Sequence, residues 1–297
     1  MAAGTTTSGS AADSLNVIID SATLVREYVG SYSRTVTMER LPVGTGLSWD
    51  EVSTAQLTAQ SITETTELNN PQQFVDSILS LTPTQCGIMT RVTKKAKHRL
   101  SPKVLATWGS GAQKAMDRYK NDQYLALLDT ATVSQPGAAS TLSQGVIGAM
   151  ARQITSNTTA PATSAIYTVL HGFQIHDIES EVLSGIGTYT IPSGMTEETF
   201  KRGFKGMCRG TTVYEDGNIT IDGSDDAKGG VHAKEAVLCV QGMAPVGYTK
   251  FNESYGGGAD EFYLYDDFIF GERHAGGGSS GGGWLKEIYS DALAPTA

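Results

Sequence analysis

From residue 102 onward, apolar side chains recur at helical spacing. Leu105, Trp108, Ala112, Ala115, Met116 and Tyr119 fall on one face, with Leu125 and Leu128 near the same stripe. Ser101 and Pro102 mark the start, an N-cap followed by proline at the first helical position. The pattern predicts a helix to about residue 131, roughly 45 Å long at 1.5 Å per residue. Gly109 and Gly111 weaken it by about 1 kcal/mol each relative to alanine. Lys103, Lys114, Asp117, Arg118, Lys120 and Asp122 surround the stripe, so the sequence describes a long rod lying on a sheet.

Elsewhere the periodicity is shorter. Residues 1–14 are small and polar, and 15–32 carry Val17, Ile18, Ile19, Leu24, Val25, Tyr28 and Val29, a short amphipathic helix or arm segment. Residues 34–44 (RTVTMERLPVG) and 88–97 (IMTRVTKKAK) are β-branched with partial alternation, which predicts strands. The stretch between, residues 44–73, has few large apolar side chains and cannot bury enough of itself to fold alone. It is also longer than ordinary connections, so something outside the monomer is expected to order it. Beyond a linker at 135–140 the expected elements are helices over 142–154, 177–183 and 197–204. Strands are expected over 165–170, 210–215 and 236–240, all in one sheet. The last third reads as strands at 261–275 and 284–290, joined by the flexible tip AGGGSSGGG.

Composition narrows the function. The chain has 297 residues, 39% of them hydrophobic, so a core of normal size is available. A net charge of −9, from 22 Lys and Arg against 31 Asp and Glu, argues against gripping duplex nucleic acid by wholesale phosphate neutralisation. Cys86, Cys208 and Cys239 are odd in number and never form a C-x-x-C pair, which excludes a disulfide scaffold and a zinc ribbon. The N-terminal residues do not read as a signal peptide, and no run of 18 apolar residues exists to span a membrane as a helix. A soluble protein of a reducing cytosol is the expectation.

The chemistry-bearing residues are sparse. His171, His176 and Asp177 lie together, but a spacing of five does not stack two imidazoles on one helical face. A strand-to-helix junction with Asp177 as N-cap is expected there. No G-x-S-x-G elbow is present, Gly109-Ser110-Gly111 lies inside a helix, and the glycine-rich tip lacks a P-loop ending. No catalytic residue, metal or cofactor is therefore predicted. A basic run, Arg91, Lys94, Lys95, Lys97, His98, Arg99 and Lys103, follows a loop carrying Asp50, Glu51, Glu64, Glu67 and Asp76. Two readings fit it: a solvated strand-to-helix turn, or a surface on which the acidic loop of a second copy docks, a heterologous contact that builds rings.

The order of these elements resembles the tailed-phage major capsid protein family, the Hong Kong 97 fold. That resemblance implies an α+β chain with an N-terminal arm (1–33), an extended loop (34–90), a peripheral domain with the spine helix (91–131) and an α/β axial domain (132–240). Return strands of the peripheral domain (241–297) would follow. Residues 101–131 resemble the spine helix, and 262–278 the family's late strands and their turn. The resemblance implies a non-enzymatic bacteriophage virion protein that self-assembles, as hexamers and pentamers, into an icosahedral capsid around double-stranded DNA. It implies assembly in the host cytoplasm with a portal, a decoration protein and, since the chain shows no fused leader, a separate scaffolding protein. Some members cross-link a lysine to an asparagine between subunits; residues 34–85 contain no lysine, so non-covalent contacts are expected here. Two alternatives stay open: an encapsulin-type nanocompartment shell, and a soluble α/β hydrolase or metal enzyme built on His171, His176 and Asp177.

Overall fold

The computed structural model describes residues 5–6, 30–44, 46–54, 57–65, 71–73, 76–99, 102–157, 160–185, 206–274 and 283–295; for 5–6, 102–110 and 182–185 it describes the backbone alone. A five-stranded sheet runs in the order β1-β5-β12-β11-β2. It comprises β1 (Thr5–Thr6), β5 (Thr84–Thr93), β12 (Ala259–Glu272), β11 (Val237–Asn252) and β2 (Thr37–Arg40). A six-stranded sheet has the order β6-β13-β10-β7-β9-β8. Its strands are β6 (Ser134–Pro136), β13 (Leu285–Asp291), β10 (Asp226–Ala233), β7 (Ile166–Leu170), β9 (Thr211–Glu215) and β8 (Met207–Cys208). A third unit, β3 (Trp49–Thr54) with β4 (Asp76–Leu81), is a two-stranded antiparallel ribbon.

The helices are α1 (Tyr32–Thr35), α2 (Lys94–Arg99), α3 (Pro102–Leu128), α4 (Gln144–Thr155) and α5 (Gly172–Gly185). The long rod is α3, and it rests on both sheets. Met116 meets Cys86 of β5, Tyr119 meets Phe268 of β12, and Leu128 lies over β10. Gly230 allows that last approach: a Cβ there would stand 3.3 Å from Leu128 Cδ2.

The buried stripe of α3 is not the one its apolar residues trace. Met116, Lys120, Asn121, Tyr124 and Leu128 are buried, whereas Tyr119 is 46% exposed and Ala112 and Ala115 are half-buried. The side chains of Leu105 and Trp108 lie outside the described residues. Two polar residues join the buried face because partners wait for them. Lys120 Nζ sits 2.6 Å from Asp266, itself fully buried on β12, and Asn121 Nδ2 donates to both oxygens of Asp216, at 3.1 and 2.9 Å.

Asp216 also accepts from the backbone N–H and hydroxyl of Ser31, at 2.9 and 2.8 Å. One buried carboxylate thus joins the segment before α1, the rod and the end of β9. A second buried chain runs beside it: Thr35 Oγ1 lies 3.1 Å from Tyr124 Oη, which lies 2.6 Å from His232 Nε2 of β10. Burial pushes His232 down to about 4, so the neutral ring donates from Nδ1 to the Ala233 carbonyl and accepts the tyrosine proton at Nε2.

Several expected elements shift. Residues 94–97 continue no strand: Thr93 Oγ1 accepts the N–H of Ala96 and caps α2. Residues 236–240 do not join the sheet of β9 but open β11, in the other sheet. Strand β10 was hidden, because DAKGGVHA carries the charges and glycines of a turn, yet it is the middle of the six-stranded sheet, between β13 and β7. The last strand, β13, does not return to the sheet of β11 and β12 as expected of residues 241–297; its register with β10 runs Asp226↔Asp291 to His232↔Leu285. Within the linker, residues 134–136 form β6 on its free edge. The helix expected at 197–204, most of 15–32 and the tip at 275–282 lie outside the described residues.

Candidate functional site

His171, His176 and Asp177 form no reactive cluster. The helix they announce begins five residues before Asp177, at Gly172, so Asp177 is interior rather than an N-cap. His171 takes that role: its Nδ1 accepts from the Phe173 N–H at 3.2 Å, and its own N–H donates to Gln174 Oε1 at 3.0 Å. This is a capping box with histidine in the place of serine or threonine, and burial lowers the His171 pKa, which keeps Nδ1 free to accept. Among the described residues no group of three His, Cys, Asp or Glu side chains is placed to hold a metal ion. Clefts of about 410 and 490 Å³ flank Tyr119 between α3 and β5; Gln85 and Cys86 line both, and Arg118 and Asp122 are the charged residues of the larger one. The described residues contain no helix long and apolar enough to cross a membrane.

What the described residues do expose is apolar surface. The ribbon β3–β4 pairs Trp49↔Leu81 through Thr54↔Asp76, so its two faces separate by the two-residue period. One face carries Trp49, Leu79 and Leu81, which pack with Leu238 and Val240 of the five-stranded sheet. The other carries the directly opposed pair Val52 and Ile78, 58% and 68% exposed, flanked by the exposed carboxylates Asp50 and Asp76. Residues 57–65 are exposed throughout and form no helix or strand. Leu57, Ile62, Val43 and Leu47 are open to solvent in the same region.

The five-stranded sheet has one face under α3. On the opposite face, away from the ribbon's base, Tyr263 and Tyr265 stack at 6.0 Å with Tyr248 beside them, and Met89 is exposed nearby. Arg91 on this face lies 4.0 Å from the centroid of Tyr255 and is 2.7 Å from Glu261. Glu261 also accepts from Tyr263 Oη at 2.6 Å and Asn252 Nδ2 at 2.9 Å. The Tyr263, Asn252 and Arg91 donors together hold its carboxyl below the usual range. The tyrosine face was missed in the sequence, although FYLYDDF alternates and Tyr263 and Tyr265 occupy one phase of it.

The charged residues of the expected docking pair are only partly free. Arg91 is bound to Glu261, Lys97 to Asp260, and Glu51 to Arg273 at 2.6 Å, all within the chain. Lys94 stands 5.9 Å from the ring of Phe251. Lys95, Arg99, Asp50, Glu64 and Asp76 are exposed. Glu67 and the side chain of Lys103 lie outside the described residues. The basic run is therefore partly an internal brace of α2 and the β11–β12 turn, and its exposed remainder is smaller than the sequence implies.

No family model matches the chain, and no curated protein matches it. Solved structures do. The capsid structure of the cyanophage P-SCSP1u superimposes with a TM-score of 0.71 at 9% identity, covering 97% of this chain and 96% of that one. A structure from Mycobacterium phage Che8 gives 0.69 at 12% identity over 93% and 98%, and the capsid of Ralstonia phage GP4 gives 0.67 at 13% over 93% and 95%. The chain has an α+β fold of the Hong Kong 97-like capsid architecture. The likeness spans nearly the whole of both partners in each comparison.

Proposed function

We propose that this chain is a major capsid protein, a structural subunit without enzymatic activity that assembles with copies of itself into an icosahedral shell around double-stranded DNA. The observation that carries the reading is the ribbon β3–β4 with the segment at its end. It exposes Val52, Ile78, Leu57 and Ile62, whose burial would each stabilise a contact by about 1.5–3 kcal/mol. Such a polar, outstretched segment gains order when a neighbouring copy covers it. The fold, matched along nearly its full length in phage capsids, supports the same reading.

In this reading residues 1–33 are the arm, and within 34–90 the ribbon and the segment at its end are the extended loop, while β2 and the start of β5 belong to the five-stranded sheet. Residues 91–131 and the five-stranded sheet form the peripheral domain, and the six-stranded sheet, β13 included, forms the axial domain. Loop and arm of one subunit lie over the peripheral domain of the next, and axial domains meet at the centres of hexamers and pentamers. A separate scaffolding protein, a portal and a decoration protein complete the assembly in the host cytoplasm. Many weak contacts per subunit, each reinforced by the others, hold the shell without covalent links.

Negative-stain microscopy of the full chain, produced with and without its phage's other head proteins, tests the reading. Closed isometric particles that contain nuclease-protected duplex DNA when made in infected cells are expected. A monomer that stays single at high concentration overturns it, and particles filled with an enzyme instead of DNA would point to a nanocompartment.

A further inference from the structure

At the base of the ribbon a single arginine reaches across to it from the far end of β12. Arg273 Nε is 2.6 Å from Glu51 Oε2, and its guanidinium carbon lies 6.0 Å from the centre of the Trp49 ring. Glu51 and Trp49 are two residues apart on β3 and share the face turned toward the body. Two residues before Arg273, Gly271 makes a notch for Leu81: a Cβ there would stand 2.5 Å from Leu81 Cδ2. Among the described residues the ribbon's outer parts have no comparable anchor, since Val52, Ser53, Thr54 and Asp76 are exposed.

Arg273 is also where the two sheets meet. Its backbone N–H donates to the Ala236 carbonyl at 2.8 Å, where β12 ends. The next residue, His274, packs its ring 4.9 Å from that of Trp284 and accepts the Trp284 N–H. Trp284 in turn accepts from the N–H of Ala233 at the end of β10, and its indole N–H donates to the Ala160 carbonyl at 2.8 Å. The backbone of Arg273 is therefore fixed at the seam, while its side chain holds the ribbon.

We propose that Arg273 is a positioning residue that sets the angle at which β3–β4 leaves the body and couples that angle to the seam between the sheets. Arginine suits the task because a flat guanidinium can pair with a carboxylate along its edge and lie near an indole with its face. A lysine would keep the charge and lose the second contact. The ion pair is only half-buried, with side chains 22% and 35% exposed, so its role is orientation rather than stability of the whole. The consequence for assembly rests on the reading of the ribbon as the element that meets a neighbouring subunit. The local consequence does not.

The test is hydrogen exchange on the full-length, unassembled protein, followed by microscopy of assembled particles. In Arg273→Ala the amides of residues 49–54 and 76–81 are expected to exchange roughly tenfold faster, while those of α4 and β10 keep their rates. Arg273→Lys should fall between, and exchanging the charges with Glu51→Arg and Arg273→Glu should restore part of the protection. Particles from Arg273→Ala should spread in diameter or fail to close. Unchanged ribbon exchange in Arg273→Ala, or an equal rise across the entire chain, overturns the proposal. If exchange behaves as expected but the wild-type chain forms no particles, the capsid reading fails and the clamp stands.

Discussion

His232, fully buried, and Glu272, partly buried, give stability opposite dependences on pH. Burial holds His232 near 4, below the 6.5 of an exposed histidine, so the unfolded chain binds a proton that the folded chain refuses. Its contribution is present above about pH 6.5 and is lost as the pH falls toward 4, by about 3 kcal/mol at completion. Glu272 is pushed up to about 7 by burial, with Lys286 acting weakly against the shift. The folded state there holds the extra proton, so this contribution is present below about pH 4.5 and is lost as the pH rises through 7. Denaturant melts from pH 4 to 8 check both signs: His232→Gln should flatten the acid side, and Glu272→Gln should stabilise more at pH 8 than at pH 4. Neither effect was legible in the sequence, because both depend on what surrounds the residue.

At the scale of elements, the start of α3 could be read from Pro102 (Ser101 lies outside the described residues), and its length, to within a few residues, from the apolar stripe. Its rotation could not. Hydropathy assigns Lys120 and Asn121 to solvent, and only the carboxylates of Asp266 and Asp216, distant in sequence, reverse that assignment. Strand β10 was lost for a related reason, since glycines and charges that signal a turn locally are needed here for close approach of Leu128 and for hydrogen bonds at Asp226. The ribbon was not legible: residues 49–54 fell in a segment read as unable to fold alone, yet they pair with β4 and Trp49 rests on the chain's own sheet, and the tyrosines of the uncovered sheet were missed as well. The Lys120–Asp266 pair makes a measurable prediction. Asp266→Ala leaves a buried ammonium without its counter-charge and should lower unfolding free energy by about 3–5 kcal/mol, whereas Lys120→Met combined with Asp266→Leu should come close to wild type. Equilibrium unfolding of the three proteins in urea decides it.

Over the whole molecule, acidity and architecture point the same way. If the chain builds the shell proposed above, a net charge of −9 disfavours tight binding of duplex DNA, which suits a genome that must be packed and later released. Basic residues that might have gripped phosphates are partly occupied by carboxylates of their own chain, as Arg91 is by Glu261 and Lys97 by Asp260. Unassembled protein should therefore show no salt-dependent retention of free duplex in a gel-shift series at low ionic strength. Tight binding that weakens steeply with added salt would contradict this account of the charge.

The position of β13 also governs how the protein can be made. A ribosome releases β10 with β7 available on one side, but the strand that belongs on its other side follows only after all of β11 and β12 has been synthesised. Until then the nascent chain carries a bare sheet edge beside a core that is still open. Translation that stops short of residue 285 should yield an aggregation-prone fragment rather than a smaller folded chain, so incomplete chains exclude themselves from any assembly by their own failure to fold.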